Sequence, residues 1–325
     1  MPKFTSTMGV NFSSYFQSVK VNPVSAAAQI AGLPVASAKT FTHDYDLPFI
    51  KAAQAQTNLT LAVGCTNDEL AGLANGSTTQ ALVSAIAPFA DTVAWVCVGN
   101  EPLGSWYNHA YDTLLAPAVT NVANAFKQAG VPMGVTIPQN FEFMQVSYPP
   151  SQGSVKPELV DILQRTCAVM RSTGAPFMVN IYPFITRIQN RNVVKLDYCL
   201  FNAPPDDWVH DGAYTYENIF LAMLDALHVA LEKIGCGDLE IVVGECGWPS
   251  QGDPDATIGN ARQFNQGLIN QCKSNEGTPR YPGKPIQCFV FEMYDEDMKP
   301  TGPGPFEPYW GVCDGARNPK YTLTW

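Results

Sequence analysis

Two glutamates follow apolar segments, at positions where a carboxyl group could be held for chemistry. Glu245 comes after the mostly apolar run 239–243, between Gly244 and Gly247. Glu101 comes after the apolar run 93–98. Two carboxyl groups that share a cavity can cleave a glycosidic bond, because one protonates the leaving oxygen while the other attacks or activates water. A lone carboxyl at a strand end is more often a solvated charge, so the hypothesis depends on whether the fold brings the two together.

Short segments rich in Val, Ile and Phe recur along the chain and predict eight β-strands. They cover residues 7–13, 35–41, 59–64, 93–101, 133–139, 176–183, 239–246 and 287–295. Amphipathic patterns between them predict helices over 23–31, 44–57, 78–90, 110–129, 156–173, 215–234 and 257–273. Strands that are apolar on both faces are typical of a parallel sheet covered by helices.

This alternation predicts a single α/β domain, a (β/α)8 barrel over residues 1–325. An open doubly wound sheet is the alternative, but no G-x-G-x-x-G or G-x-x-x-x-G-K-[ST] segment follows any strand. The active site of a barrel lies at the carboxyl ends of its strands. Glu101 and Glu245 would then face one cavity from opposite sides, which favours the catalytic hypothesis.

Other polar and aromatic residues fall at the same end of the predicted barrel. They are Asn100 after strand four, Asn180 and Tyr182 after strand six, Trp248 after strand seven and Lys299 after strand eight. Amides and charged groups bind sugar hydroxyls, and aromatic rings pack against the C–H faces of pyranoses. Trp248 could equally belong to the core, and the acidic residues around Lys299 could form only a solvated loop.

Composition excludes several classes of function. The net charge is −10 and the basic residues are scattered, which argues against a nucleic-acid partner but is compatible with a neutral polymer. No apolar stretch reaches the roughly 18 residues of a membrane span. The nine cysteines contain no C-x-x-C pair and the four histidines show no ligand spacing, so we expect neither a metal nor another cofactor. No G-x-S-x-G segment indicates a serine hydrolase.

Several longer motifs occur in a characteristic order. They are VGNE (98–101), VNIYPF (179–184), DGAYTYENIFLAMLDALHVALEKIG (211–235), VVGECGWPS (242–250), NARQFNQGLIN (260–270) and FEMYDEDMKP (291–300). In these motifs the chain resembles glycoside hydrolase family 17, the β-1,3-glucanases of plants and fungi. The resemblance runs along nearly the whole chain and is strongest after residue 177. It implies a retaining mechanism on β-1,3-glucan, and we expect a monomer.

The resemblance also implies roles for individual residues. Glu245 matches the nucleophile of the family and Glu101 matches its general acid/base. Asn100 would bind the 2-hydroxyl group beside the breaking bond. The further substrate-binding residues are Asn180, Tyr182, Phe184, Trp248, Glu296, Lys299 and Glu307. Tyr182, Phe184 and Trp248 would stack on or position the sugar, and Lys299, if it lies near Glu245, would keep that carboxylate ionised.

The chain departs from the family pattern at two positions near the predicted site. Cys246 stands where the family usually has Thr or Ser, so we expect other groups to orient Glu245. Phe41 stands where the family commonly has Tyr, and a hydroxyl contact would be lost. The first third of the chain matches the family pattern only weakly.

Three functions remain open from the sequence. The first is an endo-acting β-1,3-glucan hydrolase, and the second is a transglycosylase that uses the same two glutamates. The third is a glucan-binding protein without catalysis, which the presence of Glu101, Glu245 and Asn100 disfavours. The first ten residues contain no apolar signal segment, which fits a cytosolic chain or the mature form of a secreted one. The family resemblance implies the secreted, extracellular form.

Overall fold

Eight parallel strands form one sheet in the computed structural model, which describes residues 4, 6–35, 37–56 and 58–325. They are β1 (Met8–Asn11), β2 (Ser37–Lys39), β3 (Thr60–Cys65), β4 (Val93–Val98), β5 (Gly134–Thr136), β6 (Phe177–Asn180), β7 (Ile241–Cys246) and β8 (Gln287–Val290). Each lies within, or one residue beyond, a strand predicted from the sequence. Ala36 and Thr57, which belong to the predicted strand 35–41 and helix 44–57, lie outside the described residues.

The sheet closes into a barrel. Its hydrogen-bonded order is β5–β4–β3–β2–β1–β8–β7–β6, so β5 and β6 are the two edges. Gln139, just after β5, forms a parallel bridge with Val179 of β6. Its N–H donates to the Met178 carbonyl at 3.0 Å, and its carbonyl accepts from the Asn180 N–H at 2.7 Å. These contacts confirm the predicted (β/α)8 fold, while the extent of the domain over residues 1–325 stays a prediction.

Ten helices of the described residues surround the barrel. They are α1 (Pro23–Ala31), α2 (Leu47–Gln54), α3 (Leu70–Ala74), α4 (Thr79–Ile86), α5 (Asp112–Gln128), α6 (Val160–Thr173), α7 (Pro183–Gln189), α8 (Leu196–Cys199), α9 (Ile219–Lys233) and α10 (Ile258–Ser274). The helix predicted from residue 215 begins later, because Tyr214–Tyr216 pairs with Val209–Asp211 in a hairpin. In the part of the chain that the structure describes, no helix has both the length and the apolar composition to cross a bilayer.

The strands are apolar on both faces because each face packs against a different layer. One residue from each of five strands contributes to a cluster inside the barrel: Ala62, Cys97, Met178, Val242 and Phe289. The alternate residues of the same strands belong to the larger core between the sheet and the helices. Since apolar side chains fill the interior, polar groups gather where the strands end.

Candidate active site

The structure brings Glu101 and Glu245 to the same end of the barrel. Glu245 lies in β7, where it pairs in register with Asn180 of β6. The side-chain Nδ2 of Asn180 donates a hydrogen bond to Oε1 of Glu101 at 2.8 Å. Asn180 therefore lies between the two residues: its backbone is the register partner of Glu245, and its side chain binds the carboxyl group of Glu101.

Glu101 lies on a tightly constrained turn after β4. Its φ is 53° and that of Gly99 is 76°, both in the left-handed region. For a non-glycine residue this conformation costs on the order of 1–3 kcal/mol and persists only where surrounding contacts impose it. Here Asn67 provides them: its side chain donates to the Asn100 carbonyl at 2.8 Å and accepts from the Asn100 N–H at 2.9 Å. The Glu101 N–H donates to the Pro138 carbonyl at 2.7 Å, so the acid has a fixed position.

Glu245 is positioned by an irregularity in β7. The register of β7 against β6 shifts between Val243 and Glu245. At Gly244 a Cβ atom would lie 2.7 Å from the Met178 side chain and 2.9 Å from Oδ1 of Asn180, so only glycine fits without displacing these atoms. The Gly244 carbonyl accepts a hydrogen bond from the Asn11 side chain at 3.0 Å. The glycine before the glutamate is thus required by close packing inside the barrel.

Both carboxyl oxygens of Glu245 accept hydrogen bonds from the protein. Lys39 Nζ donates to Oε1 at 2.9 Å, and the Tyr182 hydroxyl donates to Oε2 at 2.7 Å. Lys39 is 1% exposed and Glu245 is 4% exposed, so each buried charge has the other as its partner. Both carboxyl oxygens of Glu245 therefore face donors, which fixes the orientation of the side chain.

Lys39 was not predicted from the sequence, which named Lys299 as the cation for Glu245. Lys299 lies nearby, but its closest anionic partners are Glu296 at 3.3 Å and Glu307 at 3.5 Å. Burial alone would lower the pKa of Lys299, but the surrounding carboxylates raise it above its usual value. Glu296, Lys299 and Glu307 therefore form one charged group, but the cation that contacts Glu245 is Lys39.

Glu101 has the opposite electrostatic environment. Burial raises the pKa of Glu101 to about 7, and the negative charge of Glu245 raises it as well. The Asn180 amide and the two lysines, Lys39 and Lys299, act in the other direction without cancelling this effect. The site thus holds one carboxyl group against an ammonium group, and a second one, Glu101, that keeps its proton up to about neutral pH.

The predicted aromatic residues differ in exposure. Tyr182 is partly exposed and contacts Glu245 directly. Phe184 and Trp248 are both 0% exposed, and their ring centroids lie 5.0 Å apart. The Trp248 indole N–H donates to the Asp255 carbonyl at 2.9 Å. A ring without an exposed face cannot stack on a sugar, so these two residues support the wall of the site from within.

The two departures from the family pattern have structural consequences. Cys246 is fully buried, and the groups that orient Glu245 are Lys39 and Tyr182 instead of a hydroxyl at position 246. The Phe41 ring centroid lies 3.9 Å from Lys39 Nζ, which is a cation–π contact. Phe41 therefore helps to hold the lysine that faces Glu245.

A (β/α)8 barrel that holds a carboxylate and a protonated carboxyl group at the ends of its strands has the arrangement of a glycoside hydrolase. The family model described as glycosyl hydrolases family 17 matches residues 42–325. The chain belongs to this family.

Curated relatives support the assignment. Glucan endo-1,3-beta-glucosidase 5 of Arabidopsis thaliana is 34% identical over 284 residues, which make up 85% of this chain and 58% of the relative. Glucan endo-1,3-beta-glucosidase of Vitis vinifera is 35% identical over 275 residues, which make up 82% of this chain and 78% of the relative. A second Arabidopsis relative, glucan endo-1,3-beta-glucosidase 8, is matched over 48% of its length. The chain thus spans about half the length of the two Arabidopsis proteins.

Solved structures resemble the whole barrel. CJP38, a β-1,3-glucanase and allergen of Cryptomeria japonica pollen, superposes with a TM-score of 0.91 at 30% identity, covering 97% of this chain and 98% of CJP38. A structure from a study of two plant β-glucan endohydrolases with distinct substrate specificities gives a TM-score of 0.88 at 31% identity. It covers 98% of this chain and 100% of that one.

Proposed function

We propose that this chain is a retaining endo-β-1,3-glucan hydrolase with Glu245 as nucleophile and Glu101 as general acid/base. The observation that carries the proposal is the pair of glutamates on either side of Asn180, with Glu245 bound to Lys39 and Glu101 protonated through burial. Membership of family 17 and the names of the relatives support β-1,3-glucan as the substrate.

Membership of family 17 supports a two-step, retaining reaction. A Glu245 oxygen attacks the anomeric carbon while Glu101 donates its proton to the glycosidic oxygen, so that this C–O bond breaks and a glycosyl-enzyme ester forms. Glu101, now a carboxylate, then takes a proton from water as the water oxygen attacks the same carbon and releases Glu245. The Tyr182 hydroxyl and Lys39 hold Glu245 in position for attack in the first step, and they stabilise its carboxylate when it leaves in the second.

Neighbouring residues are assigned supporting roles in this proposal. Asn100 lies directly before Glu101 in the turn after β4. Its side-chain Oδ1 lies 3.4 Å from Lys39 Nζ, next to the nucleophile. This position suits a contact with the 2-hydroxyl group of the sugar that reacts. Glu296, Lys299 and Glu307 form a charged wall that can bind further hydroxyl groups. We also propose that the chain acts as a secreted, extracellular monomer, as the family resemblance implies, although a Nicotiana tabacum relative is named a vacuolar isoform.

Incubation with β-1,3-linked glucohexaose tests the function. We expect only shorter products, released with the β-configuration at the new reducing end. Products longer than the hexaose would show that another sugar captures the glycosyl-enzyme, and the transglycosylase alternative would replace hydrolysis. Cleavage of a β-1,4-glucan control in its place would overturn the substrate. No change in any glucan would overturn the enzymatic function and leave the non-catalytic glucan-binding alternative.

The pH dependence of the reaction tests the role of Glu101. We expect kcat/KM to fall about tenfold per pH unit above pH 7, because burial raises the pKa of Glu101 to about 7 and only the protonated form donates. Glu101→Gln should remove this alkaline limb when the substrate carries a nitrophenyl leaving group, which departs without a proton. An unchanged alkaline limb in that variant would contradict the assignment.

A further inference from the structure

Eight large apolar side chains remain exposed among the described residues. They are Tyr15, Val19, Val24, Trp106, Tyr148, Val193, Ile258 and Met298. Val24 and Ile258 belong to α1 and α10, and Val193 follows α7, whereas Trp106 lies in the connection directly after β4. Trp106 is thus an exposed apolar residue at the carboxyl end of a barrel strand, where the active sites of this fold lie.

Trp106 is the largest of these residues, and its ring is held in place although it is 56% exposed. One side of the ring packs on the backbone of Gly104, where a Cβ atom would lie 2.5 Å from the indole. The ring centroid of Tyr107 lies 5.7 Å from that of Trp106. An exposed ring with one face fixed against backbone loses little conformational freedom when a ligand covers its other face.

The loop that carries Trp106 is anchored at both sides of the ring. The Gly104 N–H donates to the carbonyl of Glu101 at 2.9 Å, and the Tyr107 N–H donates to the carbonyl of Gly104 at 3.0 Å. The Ser105 N–H donates to a carboxylate oxygen of Glu142, in the loop after β5, at 3.1 Å. Trp106 therefore has a defined position relative to Glu101, five residues earlier in the chain.

This position indicates which part of a bound glucan would meet the ring. The general acid donates its proton to the oxygen that belongs to the leaving group, so the leaving sugars lie on the side of Glu101. We infer that Trp106 is a sugar-stacking platform for the glucan segment on the leaving-group side of the scissile bond. The inference rests on the proposed function of Glu101 and adds to it a subsite formed by the loop after β4.

Two substrates separate this subsite from the rest of the cleft. β-1,3-Glucohexaose has sugars on both sides of the bond that breaks, whereas the nitrophenyl glycoside of β-1,3-glucobiose has no sugar on the leaving-group side. We expect Trp106→Ala to raise KM for glucohexaose about tenfold and to leave KM for the nitrophenyl substrate unchanged. Trp106→Phe keeps an aromatic face, and we expect KM within about threefold of the parent value.

Tyr15→Ala is the matched control, because Tyr15 is 53% exposed and follows β1, three strands from the loop that carries Trp106. We expect it to affect both substrates equally or neither of them. An unchanged KM for glucohexaose in Trp106→Ala would overturn the inference, and so would an equal loss on both substrates. If the unaltered protein cleaves neither substrate, the proposed function itself fails, which is a different result from either of these.

Discussion

Glu245→Gln is expected to abolish turnover of β-1,3-glucan while glucan binding persists. An amide is not a nucleophile, so no glycosyl-enzyme can form, and the loss in kcat should be on the order of 10⁴- to 10⁶-fold. Glutamine has nearly the same volume and can still accept a hydrogen bond from Lys39 or Tyr182. The kcat of the variant on glucohexaose, and the binding of glucohexaose measured by calorimetry, check the two parts of this prediction.

Glu240→Gln provides the matched control for Glu245→Gln. Glu240 is exposed and lies just before β7, at the opposite end of the strand from the active site. The same change of charge there should leave kcat within about twofold of the parent value. Glu245→Ala with added azide gives a second readout, because azide can enter the space left by the side chain and form an α-glycosyl azide. A β-configured azide product, or substantial activity in Glu245→Gln, would rule out Glu245 as the nucleophile.

The barrel could be predicted from the sequence because its signals are local. Eight short apolar strands alternate with amphipathic helices, and a parallel sheet requires this pattern. Glu101 and Glu245 could be found for the same reason, since each ends an apolar strand and the fold gathers strand ends in one place. The pairing of Glu245 with Asn180, and the bond from Asn180 to Glu101, are three-dimensional consequences of that rule.

The direction of individual side chains could not be predicted in the same way. A shift of one residue turns a strand side chain to the opposite face of the sheet. The register of β7 shifts at Gly244, directly before Glu245, so counting alternate residues along the strand does not give the direction of the Glu245 side chain. Lys39 lies in β2 among small and apolar residues. A charged residue inside such a strand is the sequence feature that could have pointed to a role for it. A lysine inside such a strand requires a buried anion, and a search for that anion would have led to Glu245.

Trp248 and Phe184 were predicted to bind the sugar, but their side chains are buried. Their positions after strand ends matched the expected site, but the sequence does not tell whether a ring turns towards the cleft or towards the helices. The two rings pack against each other, and Phe184 also packs against Trp310, which contacts Tyr182. Trp106, in contrast, lies in the single 3₁₀ turn Ser105–Tyr107 after β4, with its ring close to Gly104.

Lys39→Met should separate the electrostatic role of Lys39 from its packing, because methionine keeps a similar unbranched apolar chain without the charge. We expect kcat/KM to fall on the order of 10²-fold, since Glu245 loses the ammonium group that stabilises its carboxylate. Lys39→Arg keeps the charge and should recover most of the lost kcat/KM, whereas a loss caused by packing alone would persist in it.

The stability of the same variants tests whether Lys39 and Glu245 act as one buried ion pair. Removing one partner of such a pair costs about 3–5 kcal/mol of unfolding free energy, because the other charge is left buried without compensation. Lys39→Met should therefore be less stable than the double variant Lys39→Met/Glu245→Gln, in which neither charge remains. Urea unfolding of the four proteins in this cycle measures the coupling. Additive effects of the two changes would mean that Lys39 and Glu245 are not energetically coupled across the 2.9 Å contact, and that they do not act as one buried ion pair.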